Sequence, residues 1–126
     1  MEGCDCSDDV ELGSYADLEK IKAFAQANAV DFCVVGPEAP LAAGVVDVLE
    51  KACIRCVGPN KELAKLETSK SYTRLLMHEH KIEGLPEFRV FENAKGLKEM
   101  KEFVKGLNSF VVKPDGLTGG KGVKVQ

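Results

Sequence analysis

The apolar positions change their period along the chain, and each change marks an element. Leu18, Ile21 and Ala25 recur at helical spacing behind an S-x-x-D start signal at Ser14 and Asp17, which predicts an amphipathic helix over 15–28. "DFCVV", Asp31 to Val35, is a short unbroken apolar run that stops at Gly36-Pro37 and reads as a buried strand. Leu41, Val45, Val48 and Leu49 share one face of a second helix, with Pro40 in its first turn, where the missing N–H is no loss. "IRCV" is the next strand, stopped by Gly58-Pro59. Helix, strand, helix, strand with short connections argues for parallel strands joined by crossover helices, an α/β arrangement.

The character changes after Asn60. Lys61 to Glu67 reads as a short charged helix. Thr68 or Ser69 can cap a further helix to about Glu79, burying Tyr72, Leu75 and Leu76. Gly84 and Pro86 break the chain. "EFRVF" reads as a strand, "LKEMKEFVKGL" as a helix with Leu97, Met100 and Val104 inward, and "SFVVK" as a strand. The pattern closes on a glycine-rich loop and the start of another strand, "GVKVQ". No internal repeat and no low-complexity linker interrupts it.

Composition narrows the function classes. The 126 residues are 44% hydrophobic with a net charge of −3, so neither a nucleic-acid footprint nor a polybasic membrane patch is present. No apolar run approaches the length of a membrane span, and Met1 to Asp9 is acidic and polar, unlike a signal peptide. These features point to the cytoplasm, with no membrane or nucleic-acid partner. The five cysteines include a C-x-C at Cys4 and Cys6 and a C-x-x-C at Cys53 and Cys56, enough in principle for zinc. Cys53 ends a helical pattern, however, and Cys56 lies inside an apolar strand. Ile54 and Arg55 between them do not suit a zinc knuckle. Cys33 and Cys56 are therefore expected to be buried and metal-free, and no metal site is assigned.

"VVKPDGLTGGKGVKV" carries the candidate chemistry. Glycines let backbone N–H groups approach a phosphate, and a lysine ammonium adds a point charge. It is not a Walker loop, because Asp115 stands where the first glycine belongs and Gly122 where a serine or threonine belongs. No dinucleotide fingerprint can be drawn either. Strand, glycine loop, strand describes a flap over a nucleotide, with a plain hairpin as the bland alternative.

Four segments decide between them: "VGPEAPLAAGVVDVL", "CVGPN", "LETSKSYTRLLM" and "VVKPDGLTGGKGVKV". Their order and spacing closely resemble the glycinamide ribonucleotide synthetase (phosphoribosylamine–glycine ligase) family of the ATP-grasp superfamily, over almost the whole chain from about Asp17. The resemblance implies ATP-dependent ligation of glycine to phosphoribosylamine in purine biosynthesis. ATP would phosphorylate the glycine carboxylate, and the ribosyl amine would attack the acyl phosphate. Such a transfer depends on positioning and charge neutralisation, and one lysine about 4 Å from a phosphate charge contributes ~4 kcal/mol gross at an effective dielectric of ~20.

The resemblance assigns residues as well. Lys70 matches the lysine that reaches the nucleotide phosphates; without the motif it would read as a solvated helix lysine. Lys113 matches a second nucleotide lysine near the adenine edge and α-phosphate. Gly116, Gly119, Gly120 and Gly122 match the flap, with Thr118 and Lys121 as phosphate contacts. Pro114, Thr118 and Gly119 stand where many members carry alanine; Pro114 stiffens the loop entry and removes a donor. Gly36, Pro37 and Glu38 match the phosphoribosylamine contact, at the carboxyl end of a strand where open α/β sheets bind ligands. A turn glutamate in water is the plain alternative for Glu38. His78 and His80 receive no role, and no catalytic residue is named.

The fold expected is part of a doubly wound parallel N-terminal domain over 1–66 followed by the start of an ATP-grasp domain over 67–126. The resemblance implies that Mg²⁺ ligands, adenine contacts and further domains lie in segments with no counterpart here. The expectation is thus a fragment, from a split gene, a truncated gene or a partial sequence, inactive alone and with a complementary chain as partner if the gene is split. Two other functions fit less of the pattern: another ATP-grasp carboxylate–amine ligase, and a non-catalytic nucleotide-binding fragment that needs a partner chain.

Overall fold

Asp17 starts the first helix of the computed structural model, which describes residues 13–119 and 121–126. Its carboxylate accepts from the Lys20 N–H at 3.1 Å, so α1 runs Leu18–Ala27. The helix starts later than the start signal suggests because Ser14 is spent on a preceding turn, accepting from the N–H groups of Ala16 and Asp17. β1 (Phe32–Val34) follows, then α2 (Glu38–Ala43), α3 (Val45–Lys51) and β2 (Arg55–Val57). β1 and β2 are parallel, with Phe32 opposite Arg55, Cys33 opposite Cys56 and Val34 opposite Val57. The α/β reading of this half therefore stands.

The single helix expected after Pro40 is two. Gly44 adopts φ +100°, and its N–H closes α2 onto the carbonyls of Pro40 and Leu41. A new helix starts on the next residue. The bend turns Val45, Val46 and Leu49 inward together, where they join Leu41, Ala25, Ile54 and Ala64 in one core. Leu49 at its centre is 0% exposed. Val46 was absent from the expected face and Val48 was on it; after the bend Val46 is buried and Val48 only half-buried.

The strand "DFCVV" is not buried on both faces. Cys33, Val35 and Cys56 lean on the core, while Phe32 (59% exposed), Val34 (64%) and Val57 (59%) occupy the opposite face of the ribbon. Successive side chains of a strand point to opposite sides, and the described helices cover one side. Cys33 and Cys56 are accordingly half-buried, not buried.

The chain divides into two compact units, residues 1–64 and 65–126. α4 (Lys61–Thr68) begins in the first, where Asn60 accepts from the Leu63 N–H and Asp47 from the Lys61 N–H. In the second, α5 (Lys70–Glu79) is capped by Ser69, whose hydroxyl accepts from the Tyr72 N–H at 3.2 Å. α5 buries none of its side chains fully: Tyr72 and Leu76 are half-buried and Leu75 is 54% exposed. α6 (Asn93–Lys105) has Met100 and Val104 half-buried, but Leu97 is exposed.

"EFRVF" forms no strand. Its residues are used otherwise: Phe88 meets His78 edge-on, and the Arg89 guanidinium lies over the rings of both Phe91 and Phe103. The predicted strand "SFVVK" instead pairs locally. β3 (Val111–Val112) and β4 (Lys124–Val125) form an antiparallel hairpin, extended by reciprocal bonds of 3.0 Å between Phe110 and Gln126.

Candidate functional site

The hairpin presents the loop 113–123. Gly116, Gly119 and Gly122 all take positive φ (+82°, +54° and +79°), a region that side chains disfavour. Lys121 donates its N–H to the Thr118 carbonyl at 3.0 Å, making a turn at the tip. At the base, a Cβ on Gly122 would stand 3.2 Å from Cγ of Pro114, so the proline ring packs against the bare glycine where the two arms meet. Pro114 thus shapes the loop as well as stiffening its entry. Lys113 and Lys121 are exposed, Thr118 is half-buried, and Gly120 lies outside the described residues.

The loop is bound to the start of α5. Lys70 donates its ammonium to the Gly116 carbonyl at 2.6 Å. Asp115 Oδ1 accepts from the N–H groups of Lys70 (2.7 Å), Gly116 (2.9 Å) and Ser71 (3.2 Å). Its Oδ2 accepts from the hydroxyls of Ser71 and of Ser69, the latter at 3.1 Å. The Ser71 hydroxyl, opposed by burial as the next largest influence and helped by the N–H groups of Ser71, Gly116 and Lys70, pulls the Asp115 carboxyl from its ordinary 3.8 to about 2. The charged form is the one these donors favour.

Asp115 was not among the residues singled out from the sequence. Its signal was readable only in part. An aspartate before glycine marks a turn, and "SKS" marks a helix start rich in donors, but 44 residues separate Ser71 from Asp115. Nothing local in the sequence joins them.

In the first unit, Gly36, Pro37 and Glu38 lie together and exposed just past the carboxyl end of β1. Pro37 is the N-cap of α2 and Glu38 its first residue. At the end of the neighbouring strand, Gly58 lies against Leu41, Val35 and Val46, which packs "GPN" onto "GPEAPL". Glu38 is exposed there, and an ionised carboxylate accepts hydrogen bonds only.

Among the described residues no group of three or more His, Cys, Asp or Glu could hold a metal, and no helix is long and apolar enough to cross a membrane. Cys4 and Cys6 lie outside the described residues. Burial pushes up the Cys33 thiol; burial, then Cys33 and Glu50 nearby, push up that of Cys56.

Residues 2–67 match the family model described as "Phosphoribosylglycinamide synthetase, N domain", and residues 68–126 the one described as "Phosphoribosylglycinamide synthetase, ATP-grasp (A) domain". The chain is 52% identical over 118 residues to a phosphoribosylamine–glycine ligase of Pyrococcus furiosus, covering 93% of this chain and 26% of that protein. A ligase of the same name from Methanococcoides burtonii is 44% identical over 118 residues, covering 94% and 27%. One from Methanoregula boonei is 50% identical over 110 residues, covering 86% and 25%. The chain spans about a quarter of the length of these curated relatives.

Proposed function

Because the chain belongs to the phosphoribosylglycinamide synthetase family, we propose that it contributes substrate-binding and nucleotide-gripping parts of a ligase that joins glycine to phosphoribosylamine with ATP. The division falls at 66/67 in this reading: residues 1–66 serve the phosphoribosylamine and 67–126 the nucleotide.

The observation that carries the proposal is the bond from the Lys70 ammonium to the Gly116 carbonyl. It brings a lysine from one segment against a glycine loop from another, 46 residues apart. An N–H-rich glycine loop beside an ammonium is what phosphate gripping needs. Lys70, Lys113 and Lys121 supply positive charge, and Thr118, Gly119, Gly120 and Gly122 supply backbone or hydroxyl donors, while Gly116, whose N–H is taken by Asp115, forms the start of the flap. Gly36, Pro37 and Glu38 would hold the ribosyl amine, with Glu38 accepting from its hydroxyls or nitrogen. In the transfer these residues neutralise and orient the phosphates. The Mg²⁺ expected with ATP finds no cage among the described residues, and the part assigned to them does not need one.

Titration of the 126-residue chain with ATP, followed by amide NMR, tests the nucleotide half. Shifts confined to Lys70, Lys113 and residues 116–122, weakened in Lys70→Ala, are expected; no shift there would remove the assignment. In a ligase carrying this chain, Glu38→Ala should raise KM for phosphoribosylamine and leave that for ATP nearly unchanged. Equal effects on both would mark Glu38 as structural.

A further inference from the structure

We propose that Asp115 is a positioning residue that locks the glycine-rich loop onto the first turn of α5, so that Lys70 and the loop move as one unit. The inference rests on the reading of both as phosphate-gripping parts. Its basis is the way Lys70 is held at both ends by consecutive loop residues. Asp115 takes its backbone N–H at 2.7 Å, and Gly116 takes its ammonium at 2.6 Å.

The chemistry favours aspartate at this point. The first N–H groups of a helix have no partner within it, and they carry partial positive charge. A carboxylate offers two acceptor oxygens, and here both are used: Oδ1 on three N–H groups, Oδ2 on the hydroxyls of Ser69 and Ser71. An asparagine would keep one oxygen and turn an NH₂ group toward the serines. Ser69 is also committed to capping Tyr72, so the cap and the lock share an atom.

Two consequences follow for a phosphate. The donors at the start of α5 are already satisfied, so the helix end itself is not the phosphate site. Phosphate contacts fall to side-chain ammonium groups and to the loop beyond Gly116. The Gly116 carbonyl is a neutral acceptor, weaker for an ammonium than a phosphate oxygen. Lys70 can therefore pass from Gly116 to an arriving phosphate while Asp115 keeps the loop anchored.

The test uses the full 126-residue chain without nucleotide. Lys113 precedes proline and resists trypsin, so cleavage after Lys121 reports loop opening. Asp115→Asn should raise that cleavage rate on the order of threefold or more, and Ser71→Ala by less, with rates after Lys22 and Lys51 unchanged. In parallel, the amide protons of Lys70 and Ser71 should follow one acid titration in the native chain and lose it in Asp115→Asn. Unchanged cleavage at Lys121 in both variants, an equal rise at Lys22 and Lys51, or an identical amide titration in the variant would each overturn the lock. A confined rise at Lys121 with no ATP-induced shifts would keep the lock and remove the nucleotide reading.

Discussion

Gly58 sits so close to Leu41 that a Cβ at that position would stand 3.1 Å from Leu41 Cδ2, with Val35 and Val46 at 3.5 and 3.6 Å. The backbone there also adopts φ +152°, where an L side chain is strained. This contact joins the end of β2 to α2, the helix that opens with Glu38. Gly58→Ala should therefore cost about 1–3 kcal/mol by strain and overpacking, read as a lower denaturation midpoint with unchanged slope. It should also weaken any ligand of Glu38 by displacing α2.

Three helices end alike. Ala29, Cys53 and Lys81 take φ of +48°, +61° and +52°, each at the turn after a helix. The N–H of the following residue returns to a carbonyl of the last turn: Val30 to Ala25, Ile54 to Leu49 and Ile82 to Met77. Glycine is the residue that suits such an end. Ala29→Gly and Lys81→Gly should each raise stability by roughly 0.5–1 kcal/mol, since relief of the left-handed strain exceeds the entropy glycine adds to the unfolded chain. Thermal melts of the single variants and the pair check this; the two sites are in different units, so their effects should add.

α1 and α5 could be read because apolar spacing and cap residues agreed, β1 and β2 from short apolar runs stopped by Gly-Pro, and α4 from its charged composition. The bend at Gly44 was not, because it falls inside a continuous apolar segment and its effect is to re-aim Val46. "EFRVF" has the composition of a strand, but a strand exists only with a neighbour to bond. Here Arg89 stacks on Phe91 and Phe103 instead. In the candidate site, the glycine loop and its flanking strands were legible from local composition. Asp115 was not, since its partners Ser69, Lys70 and Ser71 are distant in sequence and close only after folding.

Acid should release the loop selectively. Asp115 titrates at about 2 in the folded chain against an ordinary 3.8, so its folded form is the better acid. The stabilisation it brings is complete above about pH 3.8 and is lost as pH falls toward 2. The group is exposed, so the gain is small and screened by salt. The stability difference between the native chain and Asp115→Asn, from urea melts at pH 6 and pH 2, should shrink at the lower pH. A difference that stays constant would mean the carboxylate's charge is irrelevant.

The thiols should separate by reactivity. Cys33 and Cys56 face each other in the parallel ladder, half-buried on the core side, and both are harder to ionise than an ordinary thiol. The thiolate is the nucleophile, so both burial and the raised pKa slow alkylation. Cys53 is exposed on the turn after α3. Iodoacetamide at neutral pH should modify Cys53 faster than Cys33 or Cys56, on the order of tenfold, as read by peptide mass spectrometry. The same geometry bears on metal, because Cys53 and Cys56 occupy a solvent-facing turn and a core-facing strand. Elemental analysis of the purified chain should find no stoichiometric zinc. One zinc per chain, lost in Cys53→Ser together with fast labelling of Cys56, would show that the C-x-x-C closes on a metal.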